Sequence, residues 1–155
     1  MEKIVILDSI RSAHNVGSIF RTSDGAGVSR IILCGYTPAP VDRFGRVQPE
    51  IKKTSLGASE MIAWEQQEAE EDIQDRIASL KSKGFTIVAI EQTSDAVSLY
   101  DFEVPQKAAY IFGNEIDGVC QGLLALCDVV VEIPMAGQKE SLNVGVSAGI
   151  VLFHT

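Results

Sequence analysis

Nowhere in the chain does an apolar run approach the roughly 20 residues that a membrane-spanning helix needs, so no segment is expected to cross a bilayer. The opening residues MEKIVILD read as a strand rather than a cleavable leader, which points to the cytoplasm. Cysteine is scarce. Cys34, Cys120 and Cys127 are odd in number, lack paired ligand spacing and stand in or beside apolar runs, so they read as reduced packing residues, with neither a disulfide framework nor a metal site expected. Positive charge is also in deficit. A net charge of -8 argues against a general nucleic-acid-binding protein, because phosphate contacts supply most of that affinity. It leaves room for a local basic patch, and Arg43, Arg46, Lys52 and Lys53 stand in a stretch with one acid, Glu50. Finally, there is no phosphate-cradling Walker loop and no Gly-x-Gly-x-x-Gly fingerprint, which disfavours a triphosphate or dinucleotide site. No internal repeat or linker divides the 155 residues, a length suited to one domain with a real core.

What is present is an ordinary globular composition, 46% hydrophobic and 22% charged. Compact apolar runs predict strands over 3–7, 30–34, 85–90, 108–112 and 129–133, with a brief one near 61–64. Helical spacing of Val16, Ile19 and Phe20 predicts a helix from Asn15, a good N-cap, to the glycines at 25 and 27. A second, over 65–83, carries a narrow stripe of Ile73, Ile77 and Leu80, with acids crowding its first half and Lys81 and Lys83 at its end, as the helix dipole favours. Short helices are expected near 51–56 and 119–126, and a long loop over 35–49. Because the strands are continuously apolar rather than alternating, both sheet faces must be covered. The class is α/β, with a mostly parallel sheet and helices on both faces.

The final stretch, IPMAGQKESLNVGVSAGIVLF over 133–153, organises the rest. It reads as a strand end, a glycine-containing loop and a helix starting near Ser141. Leu142, Val146, Ile150 and Phe153 form one apolar stripe, yet Val144, Ala148, Val151 and Leu152 make the other sides apolar too. Such a helix must be enclosed. Its polar start, with Glu140, Ser141 and Asn143, suggests a ligand site, although a capped core helix is the plainer reading.

In open α/β sheets, ligands bind outside the carboxyl ends of the strands. Three polar, glycine-bearing segments fall there: 14–21 (HNVGSIFR), 113–118 (GNEIDG) and 137–143 (GQKESLN). IFGNEIDGV over 111–119, and IPM over 133–135 with SLNV over 141–144, resemble the second and third signature motifs of the SpoU (TrmH-like) branch of the SPOUT methyltransferases. NVGSIFRT over 15–22 resembles the first. The likeness spans essentially the whole chain, in order.

That resemblance implies transfer of a methyl group from S-adenosylmethionine to a ribose 2′-hydroxyl of tRNA or rRNA. It also implies a C-terminal deep trefoil knot, an exception to the usual absence of knots, and a homodimer joined through the knot region. On this reading residues 1–155 are a single SpoU-type domain, without the separate RNA-binding extension that many relatives carry. Gly113, Asn114, Ile133, Met135 and Leu142 would surround the cofactor. Asn15, Arg21, Glu115, Ser141 and Asn143 would form the polar active-site set. Alone, Asn15 and Ser141 read as caps, Glu115 as a surface turn acid, and Arg21 as a surface or salt-bridged residue. RNA affinity would fall to Arg11 and the basic stretch from Arg43 to Lys53. Arg21 suits stabilisation of a developing alkoxide better than proton abstraction, since guanidinium stays protonated. His14 is the more ordinary base by residue type, with a packing or loop role as the alternative. Two rival functions stand beside methylation of RNA: a non-catalytic cofactor- or RNA-binding module, and methylation of a different kind of substrate.

Overall fold

The structure, a computed structural model, describes residues 1–154. Among the described residues, seven strands form one wholly parallel sheet: β1 (Glu2–Asp8), β2 (Arg30–Cys34), β3 (Ala63–Gln67), β4 (Thr86–Ile90), β5 (Val97–Ser98), β6 (Lys107–Phe112) and β7 (Val129–Glu132). Their spatial order is β3-β2-β1-β6-β4-β7-β5. Strand order therefore reverses at β1, and the crevice beyond its carboxyl end is where ligands are expected in such sheets.

Alternation along the strands assigns the two covers. Val5 and Leu7 of β1, with Ile31, Leu33, Tyr110 and Phe112, face a core closed by α1 (Ala13–Gly25), α2 (Pro49–Ser55) and α6 (Val144–Leu152). Ile4 and Ile6, with Ile32, Ile87, Ala109 and Ile111, face a second core under α4 (Glu70–Ser82) and α5 (Gln121–Leu124). The stripe Ile73, Ile77 and Leu80 is the buried face of α4, as its spacing predicts. A short helix, α3 (Ala58–Met61), precedes β3. The buried Lys3 extends its ammonium to the Leu152 carbonyl (2.8 Å), so the first strand holds the carboxyl end of the last helix, where a cation is favourable. No helix among the described residues is long and apolar enough to cross a membrane.

Several boundaries differ from those expected. The 65–83 helix begins only at Glu70, because Glu65 to Gln67 pair with Ile32 to Cys34 as the edge strand β3. There Glu65 accepts from Arg30 (3.1 Å) and also from Arg76, so an acid-rich segment is tied down as a strand by two guanidiniums. Helix α5 shrinks to four residues, and β5 adds an unexpected strand beside β7. The cap of α1 is Ser12, whose hydroxyl accepts from the Asn15 amide (3.1 Å), so Asn15 lies within the first turn rather than capping it. The cap of α6 is Asn143, not Ser141. Its Oδ1 accepts from the Gly145 and Val146 amides at 2.9 and 3.3 Å. Of the three cysteines, Cys34 is buried and Cys127 partly so, but Cys120 is exposed and is not a packing residue.

Candidate active site

Segment 113–118 is a small closed turn. Asn114 and Gly118 exchange two backbone hydrogen bonds of 3.0 Å, and the Asn114 Oδ1 accepts from the Ile116 and Asp117 amides, both at 2.9 Å. Gly118 takes the left-handed conformation (φ 70°) that closing this turn requires. The Asn114 amide group donates to the Ser9 carbonyl and the Tyr36 hydroxyl, both at 2.8 Å. Ser9 itself sits at φ 52°, an unfavourable conformation for a serine, and so presents that carbonyl inward at the end of β1. Asn114 is thus fully engaged within the protein, and its side chain orders the turn.

The next residue projects outward. The Glu115 carboxylate accepts from the Arg11 and Ser12 amides (3.0 and 3.1 Å) and from the Asn15 side chain (3.3 Å). Burial alone would raise its pKa, but these donors outweigh that and hold the carboxyl below its ordinary value. It is an ionised acceptor near neutrality. The Asn15 Oδ1 in turn accepts from the Asn143 amide group (3.2 Å). Glu115, Asn15 and Asn143 therefore form one hydrogen-bonded chain in which Asn15 joins segments 100 and 128 positions further along the sequence.

Beside this chain opens a cavity of about 590 Å³. It lies beyond the carboxyl ends of β4, β6 and β7 and is closed by the loop before α6. Of the expected residues, Gly113, Asn114, Glu115, Ile133, Met135, Ser141, Leu142 and Asn143 all line it. Its wall also includes Glu91, Gln92, Thr93 and Glu132, which sequence reading missed. Their signal was available: 91–93 directly follow the strand at 85–90, but no glycine-bearing motif marks them. Glu91 accepts from the Val119 amide (3.0 Å), and Gln92 donates to the Glu140 carbonyl (2.7 Å), fastening the closing loop to the sheet.

Arg21 is elsewhere. It borders a second hollow of about 480 Å³ with Ser18, Thr22, Gly25, Thr54, Gly149 and Phe153. His14 is exposed in the first turn of α1, borders neither hollow, and offers its carbonyl to the Thr54 hydroxyl (3.1 Å). Arg11, Arg43, Arg46, Lys52 and Lys53 are exposed outside the cavity, Arg11 touching the site through its backbone amide alone. No group of side chains able to hold a metal occurs among the described residues.

A parallel sheet whose strand order reverses beside a cavity, with a capped helix start and a glycine turn at its rim, defines an α/β protein that binds a small organic ligand at the carboxyl ends of its strands. The chain belongs to the SpoU rRNA Methylase family, whose profile matches residues 2–153. It is 34% identical over 152 residues to the 23S rRNA (guanosine-2′-O-)-methyltransferase RlmB of Neisseria meningitidis, covering 98% of this chain and 57% of that one. It thus spans little more than half the length of that relative. It is 33% identical over 150 residues to the tRNA (guanosine(18)-2′-O)-methyltransferase of Thermus thermophilus, covering 97% of this chain and 72% of the other. Among solved structures, the AdoMet-bound rRNA methyltransferase of Sinorhizobium meliloti superposes with a TM-score of 0.85 at 29% identity, over 99% of this chain and 55% of that one. The C-terminal trefoil knot follows from this shared fold.

Proposed function

We propose that the chain transfers a methyl group from S-adenosylmethionine to a ribose 2′-hydroxyl of tRNA or rRNA, and that it does so in the cytoplasm as one SpoU-type domain. The observation that carries this reading is the Glu115–Asn15–Asn143 chain on the rim of a cavity of about 590 Å³, inside the size range of small-ligand sites. The lining fits the cofactor. Ile133, Met135, Leu142 and Val144 offer an apolar wall for a purine, while Glu91, Asp117 and Glu132 supply negative charge suited to a sulfonium cation. When bound, the cofactor supplies an electrophilic methyl group.

The remaining work falls to the protein. Gly113, Met135 and Leu142 hold the ligand at the cavity wall, with Ser141 and Asn143 at the rim. Glu115 positions Asn15, which with Asn143 orients the ribose. With three hydrogen bonds converging on its carboxylate and a depressed pKa, Glu115 is an orienting acceptor rather than the proton acceptor.

Homodimerisation accounts for Arg21. The expected stripe Leu142, Val146, Ile150 and Phe153 remains exposed in the single chain, at 37, 52, 41 and 59%. An apolar face of this kind on a helix calls for a partner, and a second copy joined there would put Arg21, beside Phe153, at the seam. From that seam its guanidinium can grip a phosphate and stabilise the developing alkoxide. Arg11 and the basic stretch from Arg43 to Lys53 would add affinity for the RNA backbone.

The test is transfer of radiolabelled methyl from S-adenosylmethionine to RNA extracted from cells lacking the chain, followed by mapping of ribose 2′-O-methyl sites. Label at a ribose hydroxyl that is unmodified in those cells is expected. Cofactor binding without label in any RNA would overturn the reading.

A further inference from the structure

The segment between β2 and α2 is a built hairpin. Val41 pairs antiparallel with Val47, Asp42 N donates to Arg46 O (2.9 Å), and Gln48 N donates to Pro40 O (2.9 Å). The turn is closed from within by Asp42, whose Oδ1 accepts from the Phe44 and Arg46 amides (both 2.9 Å) and whose Oδ2 accepts from Arg46 Nε (2.8 Å). Gly45, at φ 78°, supplies the left-handed residue that lets the hairpin reverse. At the tip stands Phe44, 68% exposed, with the Arg43 and Arg46 guanidiniums 4.9 and 5.0 Å from its ring centre.

An exposed phenylalanine on a surface loop gains nothing for the core. Here five hydrogen bonds and a bridge fix the backbone beneath it, so the ring is presented in one place rather than left on a mobile loop. Its two flanking cations differ. Arg46 is anchored to Asp42, whereas Arg43 has no carboxylate partner among the described residues. An exposed aromatic ring with two guanidiniums over it, one anchored to a carboxylate and one without such a partner, in a chain of net charge -8, matches one kind of ligand: a flat π-system attached to phosphate. The turn after β2 that leads into this hairpin also reaches the site, where the Tyr36 hydroxyl accepts from the Asn114 side chain (2.8 Å).

We propose that Phe44 is a stacking platform for an unpaired nucleobase of the RNA, with Arg43 reaching the adjoining phosphate and Asp42 and Arg46 holding the platform in shape. The inference rests on the RNA-methylating reading above and deepens it. Because a base inside a duplex has no free face, the substrate feature gripped here is a single-stranded loop or end. Stacking is tolerant of base identity, so this contact contributes affinity and placement but little sequence discrimination.

The test compares wild type with Phe44→Ala, Phe44→Leu, Phe44→Trp and Arg43→Ala. Binding is measured by fluorescence anisotropy to a labelled 20-nucleotide poly(A) strand, to its duplex with poly(U), and to unfractionated tRNA. Phe44→Ala should weaken binding to the single strand and to tRNA by about 5- to 150-fold, the range that one stacked base provides. Phe44→Leu, apolar but without a π-face, should fail similarly, and Phe44→Trp should restore binding. The slope of log affinity against log salt should be unchanged in Phe44→Ala but smaller by about 0.7 in Arg43→Ala. S-adenosylmethionine affinity by calorimetry, with circular dichroism, confirms that each variant is folded. Wild-type affinity in Phe44→Ala, or in Phe44→Leu, overturns the platform while methyl transfer by wild type leaves the main reading standing. A wild type that binds neither RNA and methylates none overturns both.

Discussion

Asn143 performs two tasks with one amide, and they can be separated. Its oxygen caps α6 through Gly145 and Val146, while its nitrogen donates to Asn15. Asn143→Ala removes both. Loss of a cap costs about 0.5–2 kcal/mol, which for a chain of this size lowers Tm by about 1–8 °C. Asn143→Asp keeps a capping oxygen, and its charge at the positive end of the helix stabilises further, so its Tm should equal or exceed that of wild type. It nevertheless loses the donor to Asn15. Both variants should therefore lose methyl transfer to a similar degree, roughly 5- to 150-fold for a positioning hydrogen bond of about 1–3 kcal/mol, although only one melts early. Differential scanning calorimetry and labelled-methyl transfer at saturating cofactor read the two effects independently. In a double-mutant cycle Asn15→Ala should add little to Asn143→Asp, because the two share one link. Full transfer by Asn143→Asp would show that the Glu115–Asn15–Asn143 chain does not serve the site. Equal melting of the Ala and Asp variants would refute the capping assignment.

Further outcomes follow from other contacts. The folded-state pKa of Glu115 lies below its ordinary value of 4.5, so the stability it contributes is present above that pH and lost as pH falls through the folded value. Wild type and Glu115→Gln should thus differ in Tm at pH 7 and draw together as pH falls below 4.5; a constant gap would contradict this. Lys3→Met keeps most of the buried stem but removes the charge-assisted bond to Leu152, and should cost about 1.5–3 kcal/mol, seen as a lower denaturation midpoint at unchanged m-value. Phe153→Glu, on the exposed stripe of α6, should convert a dimer to a monomer in sedimentation velocity; a monomeric wild type would refute the proposed assembly. The Cys127 thiol, pushed up to about 11 chiefly by burial, should alkylate slowly at pH 8 in the native protein and quickly on unfolding.

The sheet was legible because both its faces are covered. Residues 4–7, 31–34, 87–90 and 108–112 announce themselves as unbroken apolar runs, and the structure places each within a strand. The edge strand β3 was legible only at its start, near 61–64; Glu65 to Gln67 carry neither apolar alternation nor β-branched residues and are held by pairing on one side and two arginines. Both cap assignments slipped for one reason. Ser12 and Asn15, like Ser141 and Asn143, are alternative good capping types two or three positions apart, and local preference does not choose between them. The choice matters to the site, for an Asn15 freed from capping is what reaches Glu115. Motif residues around the cavity were legible because glycine turns mark them. Glu91 and Glu132 carry no local mark; only the adjacency of β4 and β7 across the sheet puts them at one wall.

The contact between Lys3 and Leu152 also constrains how the protein is made. Chains fold from the amino end during synthesis, yet the ammonium of β1 finds its carbonyl 149 positions later. The shorter of its two bonds therefore forms only once nearly the whole chain has been made, and until then the ammonium has the Ala26 carbonyl (3.5 Å), at the end of α1, as its other partner.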